Sequence, residues 1–217
     1  MTLIPPQSGE HSASLTVVGA TAGTEIARLQ RGYLADRSDA TATLARLRRG
    51  AGRDARAVPD LWGLLDLAPL YEAKKLHQER AEDALYTALT LWSVHQQSQR
   101  SAMHRRGQQL GAAVRGLMKP AEIDQAVLKR FTRAGTAPSL PLLAVRLREL
   151  VTLLRREEIG LDYALLADQL YWWQFPGRAD QVRRAWGRSF DAHRRSDEPD
   201  DPSEAPDDTF ATTVRHD

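Results

Sequence analysis

Apolar residues recur at spacings of three and four along most of this chain, and the recurrence stops at both ends. From Thr24, the positions Ile26, Leu29, Tyr33 and Leu34 predict one helix, and a second opens at Asp39 or Thr41 and runs through Leu44 and Leu47 to Gly50. Pro59-Asp60 opens a short helix carrying Leu61, Trp62, Leu64 and Leu65. The longest pattern covers 79–97 and places Ala81, Ala84, Leu85, Ala88, Leu89, Trp92 and Gln96 on or near one buried face. Polar residues 98–109, with His104-Arg105-Arg106-Gly107, read as a loop before a helix holding Leu110, Val114 and Leu117.

Pro120 fits the first turn of a further helix, where a missing N–H costs nothing, and Glu122 and Asp124 suit the positive end of its dipole. That helix continues through Ile123, Val127, Leu128 and Phe131 to Gly135. Another runs from Ser139-Leu140-Pro141 to Arg155-Arg156, with Gly160 as its breaker. The last two run from Asp162 to Phe175-Pro176-Gly177, and from Arg178 through Val182, Trp186 and Phe190. The expected fold is all-α: two small helical bundles, 23–118 and 119–195, between a flexible arm (1–22) and a disordered acidic tail (196–217).

Composition narrows the chemistry. The 217 residues include no cysteine, which excludes disulfides, thiolate nucleophiles and cysteine-bound metals and suits a cytoplasmic setting. No run of about 18 apolar residues predicts a membrane span, and no cationic cap before an apolar stretch predicts a secretory signal. His95 and His104 straddle the polar loop and match no metal-ligand spacing, so neither a metal nor another cofactor is expected. Glu82-Asp83 and Glu157-Glu158 are sequence neighbours, about 100° apart on a helix, which is a solvated-face pattern and not an acid/base pair. Gly19 to Gly23 lacks the Lys and Ser/Thr of a phosphate-binding loop, and no serine stands in a Gly-x-Ser-x-Gly turn. The expectation is a protein without catalysis.

Charge changes the picture more. Residues 196–217 carry eight acids against Arg215, a balance of −7, so the rest of the chain holds +9 within a net +2. Of 30 basic residues 26 are arginine, whose planar fork grips phosphate bidentately. A GC-rich genome also replaces Lys by Arg, but it does not explain the +9. The arginines cluster at 46–56, 105–106, 130–133, 146–156 and 183–184. Arg148 and Arg155 are seven apart and share a helix face, and Arg133 ends the preceding helix, so a positive groove between those two helices is feasible. Such a groove binds a nucleic-acid backbone without reading bases. Trp173 shares a stripe with Leu166 and Leu170 and reads as core, with Trp172 less buried.

The stretch Leu161-Asp162-Tyr163-Ala164-Leu165-Leu166-Ala167-Asp168-Gln169-Leu170-Tyr171-Trp172-Trp173 resembles the signature of the CasB family, the small subunits of type I-E CRISPR surveillance complexes (Cascade). Leu47-Arg48-Arg49 followed by Pro59-Asp60-Leu61-Trp62, then Leu110-Gly111, Phe131-Thr132-Arg133-Ala134 and Leu147-Arg148-Glu149-Leu150, stand in family order over residues 39–194. The resemblance implies a non-catalytic, two-bundle subunit present in two copies beside the guide-bearing backbone and the large subunit. There it would steady the hybrid of crRNA guide and target DNA and hold the displaced DNA strand. It carries phosphate contacts to Arg48, Arg49, Arg133 and Arg148; Arg53, Arg130 and Arg155 join them as candidates from the basic clusters. Ala112 stands where the family often has a basic residue, and the arm and tail lie outside the resemblance. The rival classes are a stand-alone helical DNA-binding regulator, which would read base edges as a symmetric dimer, and a helical nuclease.

Overall fold

The computed structural model describes residues 15–50, 63–120 and 122–196. Along them run α1 (Val17–Leu34), α2 (Ser38–Gly50), α3 (Ala68–Glu72), α4 (Gln78–Gln96), α5 (Leu110–Arg115), α6 (Gln125–Gly135), α7 (Leu140–Arg156), α8 (Tyr163–Trp173) and α9 (Ala179–Ser196). Among the described residues the sole β feature is an isolated bridge between His104 and Leu161, so the fold is all-α as the periodicity predicts.

The first correction is at the N-terminus, where α1 begins at Val17, well inside the expected arm. The carboxylate of Asp168 on α8 accepts hydrogen bonds from the backbone N–H groups of Thr16 (2.7 Å) and Gly19 (2.6 Å) and from the Thr16 hydroxyl. A residue 152 positions away thus satisfies donors that every helix start leaves open. The contact needs small residues. A Cβ on Gly19 would lie 2.7 Å from both the Ala164 carbonyl oxygen and the Asp168 carboxylate. A stripe of Gly19, Ala22 and Gly23 has no apolar period, so it reads as a linker although all three are buried. Residues 1–14, the acidic stretch after Ser196 and the start of the helix expected at Pro59, with Leu61 and Trp62, lie outside the described residues, while Leu64 and Leu65, expected to continue that helix, follow Gly63 (φ +70°) in a non-helical turn.

Two more helix starts differ from expectation. Asp124 is the N-cap of α6, its carboxylate accepting from Ala126 N–H (2.8 Å) and Val127 N–H (3.1 Å), which leaves Pro120 outside the helix. A short helix, α3, stands at Ala68–Glu72, where none was read. Asp162 caps α8 through Leu165 N–H at 3.0 Å, and Pro141 sits in the first turn of α7, both as expected.

α4 is buried on more than the one face its apolar period marks, because α1, α2, α7 and α8 all pack around it. Ser93, His95 and Gln96 are therefore as buried as Trp92. α8 packs on α1 and α4, α5 packs on α9, and α6 packs on α7. Apolar side chains from both sides of residue 118 meet in one contiguous core, from Val18 and Leu89 to Leu147, Trp173 and Phe190. Gly111 permits the α5–α9 approach, since a Cβ there would collide with the Trp186 carbonyl.

Candidate nucleic-acid interface

α2 and α7 both pack on α4, burying Leu44 and Leu47 of α2 and Leu143, Leu147, Leu150, Val151 and Leu154 of α7. A helix turns 100° per residue, so arginines next to these leucines emerge beside the buried faces, on either side of the end of α4. Arg148, Thr152 and Arg155 follow at i, i+4 and i+7 down one face of α7, opposite Arg48 and Arg49. Together with Ala45, Val94 and Gln97 they line an open depression of about 460 Å³. Among the described residues its lining contains four arginines and no acid.

Arg155 is held in place, its Nη1 donating to the Val94 carbonyl (3.3 Å) and to Gln97 Oε1 (3.2 Å). Burial lowers the pKa of Arg48, the like charges of Arg155 and Arg49 lower it further, and Tyr33 opposes them. Arginine stays protonated under such pressure. The crowding stores mutual repulsion that a bound anion would relieve. Among the described residues no carboxylate pairs with Arg48 or Arg148. The neutralising partners conceivable from sequence face elsewhere, Asp168 toward the start of α1 and Glu149 into another pocket.

That other pocket, of about 330 Å³, is lined by Ala126, Lys129, Arg130, Arg133 and Glu149. The Arg130 Nη1 donates back to the Ala126 carbonyl at 3.1 Å, and the Arg146 guanidinium donates to the Arg133 carbonyl. The sequence-derived candidates therefore divide into two sets. Arg48, Arg49, Arg148 and Arg155 share the α2–α7 depression, while Arg130 and Arg133 line the α6–α7 pocket. Arg133 thus lines a different depression from Arg148 and Arg155, with which the sequence groups it in one feasible groove. The reason is angular: consecutive residues Arg148 and Glu149 point about 100° apart and serve different depressions. Arg53 lies outside the described residues.

The arginines near α9 are engaged otherwise. Arg183 lies 4.8 Å over the Trp173 ring, donates to the Gly135 carbonyl at 2.7 Å and pairs with Asp180. Trp173 is 7% exposed and stacks on Trp186 at 5.4 Å, whereas Trp172 is half-buried beneath Arg178, as the stripe predicts.

The sequence reading missed Thr152 and Gln97 in the first depression. Thr152 was within reach of sequence logic, midway between Arg148 and Arg155 on their shared face, but Gln97 enters because α4 ends there. His95 and His104 meet at one residue, Tyr163. The Tyr163 hydroxyl lies 2.9 Å from His95 Nδ1, and the Tyr163 backbone N–H donates to His104 Nδ1 at 3.1 Å. Burial pushes the His95 pKa down to about 4. Burial lowers that of His104 too, against the charge of Asp162. Among the described residues no three His, Asp or Glu side chains converge as a metal site requires, and no helix is long and apolar enough to cross a membrane.

The profile of the CRISPR-associated protein Cse2 family matches residues 43–190, more than half of the chain. The structure is similar to that of CasB from Thermobifida fusca, with 50% sequence identity and a TM-score of 0.76 over 83% of this chain and 99% of that one. It is similar also to a CRISPR-associated protein of the Cse2 family from Thermus thermophilus, at 26% identity and a TM-score of 0.59 over 79% and 97% of the two chains. A chain of a CRISPR RNA-guided surveillance complex shares the fold at 19% identity and a TM-score of 0.63, over 83% and 99%. A comparison with curated protein sequences gives no match. The four arginines of the α2–α7 depression and the aromatic signature of α8 all fall within the matched span, and with half of its aligned residues shared with CasB this chain belongs to the CRISPR-associated Cse2 family.

Proposed function

We propose that this chain is the small subunit of a type I-E Cascade surveillance complex, where it grips nucleic acid by its backbone and catalyses no reaction. The observation that carries the reading is the depression between α2 and α7, with Arg48, Arg49, Arg148 and Arg155 on its walls and no acid among its described lining residues. Guanidinium forks suit phosphate oxygens, and a surface that binds only phosphate needs no sequence preference. In an RNA-guided complex base pairing supplies that preference, so a subunit with charge and shape alone has a role in steadying the hybrid of crRNA guide and target DNA and holding the displaced strand. Its partners in this reading are the guide-binding backbone subunit, the large subunit and a second copy of itself. Arg130 and Arg133, in the separate α6–α7 pocket, and Arg53 are further phosphate contacts in this reading.

Binding to single-stranded DNA and to duplexes of several sequences, measured across a salt series, tests this. Each phosphate contact removed should weaken binding about equally for all sequences and flatten the slope of log affinity against log salt by roughly one unit. An unchanged slope in the Arg48→Ala, Arg148→Ala double variant would sink the assignment of the depression. A strong preference of the isolated chain for one duplex sequence would favour a stand-alone regulator.

A further inference from the structure

α9 is fixed along α6 in a definite direction. At its start Arg183 donates to the carbonyl of Gly135, the last residue of α6. Farther along, Trp186 and Phe190 lie 6.4 Å and 5.6 Å from the Phe131 ring. From the Gly135 contact to the Phe131 contacts α9 therefore advances along α6, and it ends at Ser196, six residues beyond the Phe190–Phe131 stack. At 1.5 Å per residue this end lies roughly 9 Å past the stack. Lys129, Arg130 and Arg133 all stand within two residues of Phe131 and line the α6–α7 pocket, where Glu149 is the one acid and Lys129 and Arg133 are exposed.

The chain that follows carries the opposite charge. Residues 197–208 hold seven acids (Asp197, Glu198, Asp200, Asp201, Glu204, Asp207, Asp208) and no base. An extended chain spans about 3.3 Å per residue, so the acids at 197–204 are within reach of the pocket. A segment tethered this close meets the pocket at roughly millimolar effective concentration. The α2–α7 depression holds more positive charge, but α9 does not end beside it: its neighbours are α5 and α8, with the rings of Trp186 and Phe190 on α6.

The geometry points to an intramolecular anion site: the acidic segment 197–208 docks on the α6–α7 pocket through Lys129, Arg130 and Arg133 and is displaced from it by polyanions. The site takes carboxylates from within the chain and phosphates from outside. Arg130 and Arg133 are also phosphate contacts in the function proposed above, but tail docking is read from the labelled chain without nucleic acid and so succeeds or fails independently of it.

The chain has no cysteine, so Ser203→Cys in the full-length protein takes a single nitroxide label, and amide signals report what it approaches. At low salt, without nucleic acid, amides 126–133 should lose most of their intensity, while those of α2 around Arg48 keep theirs. Inorganic polyphosphate, or neutralisation of Asp197, Glu198, Asp200 and Asp201 to Asn or Gln, should restore the α6 signals. Undiminished α6 signals at low salt would overturn the inference. So would broadening centred on Arg48 and Arg148, or α6 broadening that survives both polyphosphate and tail neutralisation.

Discussion

Two helix seams of this protein contain arginine and use it in opposite ways. At the α8–α9 seam Trp173 stacks on Trp186, the Trp186 indole N–H donates to Gln169 Oε1 at 2.7 Å, and Arg183 closes the top with its charge against Asp180. Where α2 and α7 flank the end of α4, four arginines remain around an open depression, two of them with no paired carboxylate among the described residues. The first seam spends its polar contacts on its own geometry. The second leaves charge available to something outside the chain. Arginine content alone does not separate the two; the partners of each guanidinium do.

The strongest way to break this contrast is at the aromatic seam. Trp173→Ala should cost about 3–5 kcal/mol, the usual effect of emptying a large buried aromatic site, and lower the melting temperature sharply. If Trp173→Ala melted like the parent but lost DNA binding, the ring would be a stacking platform and the contrast would be inverted. Trp172→Ala, at a half-buried ring, should cost clearly less in the same denaturant titration.

Acid should separate the regions next. His95 has a folded pKa of about 4 against an ordinary 6.5, so below pH 6.5 the unfolded chain binds a proton that the fold refuses. Its contribution is fully present above pH 6.5 and drains away as pH falls toward 4, at about 1.4 kcal/mol per pH unit and roughly 3 kcal/mol in all. The arginine depression keeps its charge throughout that range. Denaturant unfolding at a series of pH values should show the slope, and His95→Gln should reduce it; an identical slope in His95→Gln would assign the acid sensitivity to other groups.

The opposite change belongs to the depression. Arg48→Ala with Arg148→Ala should remove roughly two units of salt slope in DNA binding. The same double variant should move stability by no more than about 1 kcal/mol, since neither the half-buried Arg48 nor the exposed Arg148 caps a helix or belongs to the core. A large loss of stability would mean that these arginines serve packing and that the two seams are alike. The smallest expected effect is at Glu149: Glu149→Gln removes the one acid of the α6–α7 pocket and should raise anion affinity there slightly, by less than a factor of about five. Weaker binding in Glu149→Gln would show that the carboxylate orients the neighbouring cations and does not oppose the anion.

The sequence by itself determined the helical class, most helix limits and the arginine excess. Those properties are local: the leucines of α7 repeat at helical spacing, Asp162 precedes the α8 stripe, Pro141 marks a first turn, and charge is a count. It also reached the four arginines of the depression, because Arg148 and Arg155 lie on one helix face and Arg48 and Arg49 stand at basic positions of the family resemblance. Tertiary structure decided the rest. The start of α1 depends on a carboxylate 152 residues away and on glycines that an apolar period does not register. Whether Arg133 joins Arg148 or parts from it depends on how α6, α2 and α4 are placed around α7, a matter of helix packing that no window along the chain contains. His95 and His104 look unrelated nine residues apart and become neighbours only where Tyr163 of α8 is carried between them. Periodicity tells which face of a helix is buried, and only the packed core tells what that face meets and which charges are left without a partner inside the chain.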